Sequence, residues 1–236
     1  MKSDYILQLI KPLINSGHYT CGFADLHGLL SAEYSGFRSG ISILRKLDDS
    51  IIDAISNGPT EEYYRHYNSV NEELDKTVSS IESLLLENSI RCKAVPPTFH
   101  DYQLDALYHQ TLTAPLSHKM VATRAGLGWI GKTDLFISKQ FGPRVRLSSV
   151  LIEDLVEPAS TPIEKSRCGT CMACVNACPG KTATGKEWDI HTYRNEFFDP
   201  FKCRETCKKL TKERLNEEIS ICGICISVCP IGKKKV

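Results

Sequence analysis

The sequence predicts an α+β protein, with a mixed α/β body over residues 1–157 and a small cysteine-rich module over 158–236. Three observations carry that division. Helix-like and strand-like apolar periodicities alternate through the first part of the chain. Nine of the 11 cysteines fall between Cys168 and Cys229. The stretch EPASTPIEKS at 157–166 is rich in Pro and Ser and interrupts the periodicity between the two parts.

Bulk composition narrows the function classes. With 29 Lys and Arg against 28 Asp and Glu, the chain is not built for blanket electrostatic attraction to nucleic acid or to a membrane. A hydrophobic content of 42% and a charged content of 24% are those of an ordinary globular protein. No run of 18 apolar residues exists, so no membrane association is expected. The opening MKSDYILQLIKPLINSG has an early Asp4 and an amphipathic pattern, unlike a secretory signal. A cytoplasmic, reducing location follows as the expectation, and there crowded thiolates hold metal rather than forming disulfides.

In the body, Ile6, Leu9, Ile10, Leu13 and Ile14 recur at helical spacing. Gly17 is placed to end that helix, and Pro12 is an irregularity inside it. CGFADL at 21–26 and SGISILRKL at 39–47 read as strands around a Gly/Ser-rich loop. After GPT at 58–60, Thr60 can cap a long helix. Tyr63, Tyr67, Val70, Leu74, Val78, Ile81 and Leu85 form its apolar stripe. IRCKAV at 90–95 is a strand stopped by Pro96-Pro97. A short helix is expected over 117–124, capped by Ser117 and closed by Gly126. LFIS at 135–138 and VRLSSVLIE at 145–153 suggest a β-hairpin around Phe-Gly-Pro.

The module contains an internal repeat. Cys168-x2-Cys171-x2-Cys174-x3-Cys178-Pro179 is followed by Cys222-x2-Cys225-x3-Cys229-Pro230, which lacks the counterpart of Cys168. The first run is the bacterial ferredoxin spacing, in which the last cysteine of a motif serves the other cluster of a pair. Two [4Fe–4S] clusters follow. Cluster one takes Cys168, Cys171, Cys174 and Cys229; cluster two takes Cys178, Cys222, Cys225 and a remote thiol, Cys203 or Cys207. Paired structural zinc sites are the alternative for C-x2-C spacing, but the two Cys-Pro endings and the interlocked count of eight point to iron–sulfur.

Upstream, AGLGWIGK at 125–132 is a glycine-rich turn. Gly126, Gly128 and Gly131 permit close backbone approach to a flat or phosphorylated cofactor, Lys132 offers a cation and Trp129 an aromatic wall. A helix end followed by a tight turn into a strand would need the same glycines. The segment before it gathers His100, Tyr108, His109, His118 and Lys119. Of these, His118 is the first choice for proton transfer, because a Ser-His-Lys run at a helix start directs its groups into a loop-lined space.

At residues 122–137, ATRAGLGWIGKTDLFI, the chain resembles the corrinoid-dependent epoxyqueuosine reductase family. The resemblance continues through both cysteine motifs, with a lone cysteine before the second where Cys203 stands. Weaker similarity runs back through GPTEEYYRHYNSVNEELD at 58–75. It implies a nitroreductase-like, cobalamin-binding α/β body joined to a bacterial-ferredoxin-like two-[4Fe–4S] domain, a plan shared with reductive dehalogenases. It implies Cys203 as the remote ligand, and contacts to cobalamin from Gly126, Gly128, Trp129, Gly131 and Lys132. It also places Lys119 where the reductases carry a basic residue. Family members reduce epoxyqueuosine in tRNA to queuosine.

Two departures are visible. The family's acidic residue, two positions before an Ala-Pro pair, falls at Leu112, which cannot donate a proton. Family members also continue into a helical-repeat domain that grips tRNA, whereas this sequence stops six residues after its last Cys-Pro. The expectation is therefore an oxidoreductase that passes single electrons through two clusters to a corrinoid and reduces an unidentified substrate, with tRNA outside the expected partners. The alternative is an electron-transfer protein that reduces a partner corrinoid or flavin protein and has no substrate of its own. The acceptor would be a small molecule or a corrinoid protein. Nine basic against four acidic residues after position 199, ending in Lys233-Lys234-Lys235, suit an acidic donor such as ferredoxin or flavodoxin, or merely a solvated terminus.

Overall fold

A computed structural model describes residues 2–14, 16–99 and 104–233. His100, Lys234 and Lys235, singled out above, lie outside the described residues. The elements in chain order are α1 (Lys2–Ile14), β1 (Tyr19–Asp25), β2 (Ser39–Lys46), α2 (Asp49–Asp53), α3 (Glu61–Glu87), β3 (Cys92–Val95), α4 (Ala106–Thr111) and α5 (His118–Arg124). They continue with β4 (Gly128–Ile130), β5 (Phe136–Ser138), β6 (Val145–Ile152), α6 (Ala173–Ala177), α7 (Arg194–Phe197), α8 (Pro200–Leu215) and α9 (Ile224–Val228). No helix among the described residues is long and apolar enough to cross a membrane.

The chain forms two compact units, and they interleave in sequence. One comprises residues 1–46, 70–127 and 146–163; the other comprises 47–69, 128–145 and 164–236. The sequence suggests a single cut at 157/158. The units differ from it because the β4–β5 pair and the segment 47–69 gather with the cysteine-rich residues rather than with the strands beside them in sequence.

The first unit is built on a four-stranded sheet of order β1-β2-β6-β3. β1 and β2 are antiparallel with Gly22 opposite Ser42, and β3 and β6 are antiparallel with Ala94 opposite Val150. β2 is buried from Ser39 to Leu44, so both its faces are covered and it reads as a continuous apolar run rather than an alternating one. Ala24, Leu26, Val95, Val121, Ala125 and Leu151 form one cluster between the sheet and α5. Ser117 caps α5 by accepting from the Met120 amide, as the sequence indicates. Ile6 and Ile10 of α1 are fully buried despite Pro12 in its last turn. Val70, Leu74, Val78, Ile81 and Leu85 are the buried stripe of α3, and Glu73 on the same helix holds Arg45 at 2.9 Å.

The second unit contains little regular structure, and its local order comes from short helices and one small antiparallel pair. β4 pairs β5 with Trp129 opposite Ile137. This departs from the hairpin expected between 135–138 and 145–153. β5 instead ends in a tight turn closed by Ser138 and Gly142, which turns it back before β6 begins, and β6 pairs β3. Arg144, immediately after that turn, is buried and bonds Asp49 and Asp53 of α2. Gly223 approaches Ile55 and Tyr63 so closely that a Cβ would lie 2.3 Å from the Ile55 side chain, which packs the second cysteine motif on residues 47–69. Thr60 caps α3 as its sequence indicates, accepting from the Tyr63 amide at 3.2 Å.

Candidate metal centre

Each cysteine motif folds the same way. α6 carries Cys174 and ends on Cys178; α9 carries Cys225 and ends on Cys229. Cys178 (φ −70°, ψ 113°) and Cys229 (φ −65°, ψ 127°) both leave their helix in extended conformation. The following Pro179 and Pro230 impose that geometry, because a proline disfavours helical backbone in the residue before it. The internal repeat seen in the sequence is thus a repeat of backbone shape, with α6 and α9 packed together.

The thiols interact in two overlapping groups. Cys229 interacts through space with Cys174, Cys168 and Cys171. Cys225 interacts with Cys222 and Cys203, and more weakly with Cys174 and Cys178. Cys225 thus stands between thiols of both motifs. Burial pushes the Cys229 thiol up to about 11 and Cys225 higher still, so in the absence of a cation both hold their protons. Metal binding displaces such protons and supplies the missing positive charge.

Cys203 and Cys207 stand together. The Cys207 thiol hydrogen-bonds both Cys203 and Cys222. That bond is the largest influence on each partner and lowers both, while Cys207 itself is driven up. Cys207 is buried and Cys203 half-buried, one helical turn apart on α8. Both candidates for the remote ligand therefore lie beside the second motif.

A cavity of about 180 Å³ opens among the first group of thiols. Cys168, Cys171, Cys174, Cys225 and Cys229 line it, with an apolar wall from Leu135, Ile137 and Ile231. Several thiols converging on an apolar chamber form the donor set of an iron–sulfur cluster, and the residues present fit that group.

The glycine-rich turn meets this cavity. Gly131 and Lys132 line it directly, and a Cβ on Gly131 would lie 3.6 Å from Cys168 Sγ. Lys132 is buried; its Nζ donates to the Gly169 carbonyl at 2.6 Å and lies 3.6 Å from Met172 Sδ. Thr133 hydrogen-bonds the Cys174 thiol. Gly128 serves β-pairing, since a Cβ there would lie 2.1 Å from the Ile137 carbonyl oxygen. Trp129 is buried under the Arg167 guanidinium, 6.0 Å from its ring centre, with its indole N–H unpartnered. Gly126 sits in the other compact unit with φ +70°, where a Cβ would lie 2.6 Å from the Thr161 carbonyl oxygen. The small size or burial of these five residues is accounted for by a strand pair, a helix end and the wall of the cysteine cavity.

His118 is engaged on both sides of its ring. Nδ1 lies 2.9 Å from Ser149 Oγ, and Nε2 lies 2.9 Å from the Pro96 carbonyl oxygen. The carbonyl can only accept, so Nε2 carries the hydrogen and Nδ1 accepts from the Ser149 hydroxyl. Burial pushes the ring down to about 4, with the Arg146 guanidinium adding to the effect. A ring that is neutral near pH 7 and has both nitrogens occupied does not deliver a proton, which corrects the role expected from its place at a helix start. Lys119 is half-buried on the same helix, and His109 is exposed on α4 with its ring 5.5 Å from that of Tyr108. Leu112 closes α4 in the left-handed region at φ 51°, a conformation unfavourable for a bulky side chain. Thr133 was not evident from spacing; its only sequence signal is adjacency to Lys132.

The family model for a 4Fe–4S double cluster binding domain matches residues 167–232. Among curated proteins, the epoxyqueuosine reductase of Atelocyanobacterium thalassa (isolate ALOHA) is 34% identical over 123 residues, covering 52% of this chain and 39% of that protein. The chain thus spans about two fifths of the length of the curated relatives it matches. Among solved structures, an epoxyqueuosine reductase with a tRNA-Tyr epoxyqueuosine-modified stem loop aligns at TM-score 0.60 and 18% identity, covering 98% of this chain and 65% of that one. A reductive dehalogenase whose structure suggests a mechanism for B12-dependent dehalogenation aligns at TM-score 0.61 and 16% identity, covering 91% and 30%. The placing of tRNA outside the expected partners does not stand, because a protein of this fold has been solved with a modified tRNA stem loop. The chain is a relative of the epoxyqueuosine reductases, shares their fold and that of the reductive dehalogenases, and carries a 4Fe–4S double cluster binding domain in its C-terminal part.

Proposed function

We propose that this chain is an iron–sulfur oxidoreductase that reduces epoxyqueuosine in tRNA, using electrons delivered through two [4Fe–4S] clusters. The carrying observation is the interlocked set of eight cysteines within a double cluster binding domain, on a fold that aligns with epoxyqueuosine reductase over 98% of the chain. Cys168, Cys171, Cys174 and Cys229 hold cluster one, and Cys178, Cys203, Cys222 and Cys225 hold cluster two. The clusters store and pass single electrons, which a two-electron reduction must receive one at a time.

Cobalamin is the group the fold likeness adds to this reading, since a neighbour of the same fold is associated with B12-dependent dehalogenation. When bound, it supplies one-electron chemistry at cobalt. Gly126, Gly128, Trp129, Gly131 and Lys132 are the residues kept as its contacts. The proton that reduction requires does not come from Leu112 or from His118. Lys119 is the residue kept for that role.

The experiment uses the full chain, purified anaerobically and reconstituted with iron and sulfide. Titration with cob(II)alamin followed by absorbance reads binding. Incubation with epoxyqueuosine-containing tRNA and a chemical one-electron reductant, followed by nucleoside analysis, reads queuosine. Queuosine formation that falls at least tenfold in Lys119→Met supports the reading. A chain carrying about eight irons that forms no queuosine overturns it. If that chain still reduced added cobalamin or flavin, the electron-transfer reading would replace it.

A further inference from the structure

We propose that Thr182 is a positioning residue for the cluster that Cys178 serves. Its hydroxyl donates to the Cys178 sulfur, and the turn that carries it fastens that sulfur to the start of α8. This rests on Cys178 being a cluster ligand and goes beyond it.

The turn is built for this contact. After Cys178 and Pro179, the Lys181 amide donates to the Cys178 carbonyl at 3.0 Å, and Lys181 takes the left-handed region at φ 47°. A residue other than glycine is disfavoured there, so its surroundings hold the conformation. The bend brings Thr182 back to the cysteine, with Thr182 Oγ1 3.3 Å from Cys178 Sγ. Thr182 is 5% exposed, and burial keeps water from competing for the contact. Its carbonyl accepts from the Asp199 amide at 2.8 Å, and the next residue, Ala183, bridges Phe198. Asp199 caps α8 by accepting from the Lys202 amide, and Cys203 lies in the first turn of that helix. Gly180 closes on α8 as well, since a Cβ there would lie 2.3 Å from Thr206 Oγ1. Thr182 is therefore tied to one ligand sulfur by its side chain and to the helix of Cys203 by its backbone.

The second motif shows what the hydroxyl adds. Its exit repeats the bend, with Gly232 left-handed at φ 82° three residues after Cys229. The fourth residue is Lys233, where the first motif has Thr182. The bend thus belongs to the Cys-Pro exit, and the hydroxyl is particular to the first copy.

A sulfur bound to iron carries no proton and can only accept, so the Thr182 hydroxyl is the donor. Reduction adds one electron to the cluster, with no bond broken and no proton moved. The donor interacts more strongly with the more negative state, which raises the potential.

The test is a potentiometric titration of the reconstituted full chain, read by electron paramagnetic resonance, with iron analysis on the same samples. Thr182→Val removes the hydroxyl and keeps the shape. It should hold its iron and move one reduction wave downward. The ratio of reduced to oxidised cluster at a fixed potential should fall by about threefold, or about 28 mV at about 59 mV per tenfold. The other wave should stay in place. Thr182→Ser keeps the donor and should leave both waves where the wild-type chain has them. Unmoved waves in a fully loaded Thr182→Val, equal shifts of both waves, or the same shift in Thr182→Ser would overturn the inference. If Thr182→Val loses iron, the serine variant decides. Full iron in Thr182→Ser assigns the loss to the hydroxyl and supports the inference, whereas iron lost from both variants assigns it to packing and overturns it. A Cys178→Ser chain that keeps its full iron defeats the ligand assignment itself, a result distinct from unmoved potentials.

Discussion

Lys132 Nζ donates to the Gly169 carbonyl at 2.6 Å, tying the turn after β4 to the loop between Cys168 and Cys171. The two residues are 37 positions apart, and the bond makes a glycine-rich turn part of the wall of a metal centre. The turn's glycines are therefore structural in a way that can be measured.

Gly128→Ala should be severely destabilising. The added methyl would lie 2.1 Å from the Ile137 carbonyl oxygen and 2.6 Å from the Phe136 ring, and backbone on the paired strand cannot move aside cheaply. A loss of about 3 kcal/mol or more is expected, together with lost iron, read by urea denaturation and iron analysis. A variant with wild-type midpoint and iron content would refute the close strand pairing.

The remote ligand is decided by iron counting. Cys203→Ser should reduce the iron content of the reconstituted chain from about eight to about four, because cluster two loses a ligand. Cys207→Ser should retain about eight, since the Cys207 thiol then only hydrogen-bonds its neighbours. The opposite pattern would exchange the two roles.

His118 ties stability to pH with a definite sign. Its folded value of about 4 lies below the ordinary 6.5, so the unfolded chain takes up the proton first as pH falls. The stabilisation is complete above about pH 6.5, shrinks as pH falls and is gone near pH 4, amounting to about 3 kcal/mol at most. His118→Gln should remove this slope. Urea midpoints of both proteins at several pH values between 4.5 and 7 would check it, and parallel curves would contradict the buried neutral ring.

The Arg144 site should respond asymmetrically. Its side chain is 1% exposed, whereas those of Asp49 and Asp53 are 29% and 58% exposed. Removing both carboxylates in Asp49→Ala/Asp53→Ala strands a buried guanidinium and should cost about 3–5 kcal/mol. Arg144→Met leaves two carboxylates that water can reach and fills the volume, so about 1–2 kcal/mol is expected. Equal losses in thermal denaturation would contradict this burial argument.

Much of the cluster module was legible because its chemistry is local. Two-residue gaps and Cys-Pro endings confine each motif to one turn and one extended exit, so spacing alone specifies the local shape that carries the thiols. The α3 stripe and the Ser117 and Thr60 caps were legible for the same reason, since an i, i+3, i+4 pattern and a capping hydroxyl act within a few residues. Strand pairing was not. LFIS and VRLSSVLIE each read as a strand, yet nothing in either says that β5 takes β4 and β6 takes β3.

What the sequence by itself determined is the α+β character, the thiol-rich module and its repeated cysteine motif, all set by short-range periodicity and spacing. Only the tertiary structure decided what the long-range neighbours do. It gave His118 two partners, at Pro96 and Ser149, that make it a neutral structural ring. It placed AGLGWIGK in a helix end, a strand pair and a cavity wall, where Ile137 packs against Gly128 and Gly131. Burial and distance between residues far apart in sequence govern charge and protonation, and a one-dimensional pattern carries neither quantity.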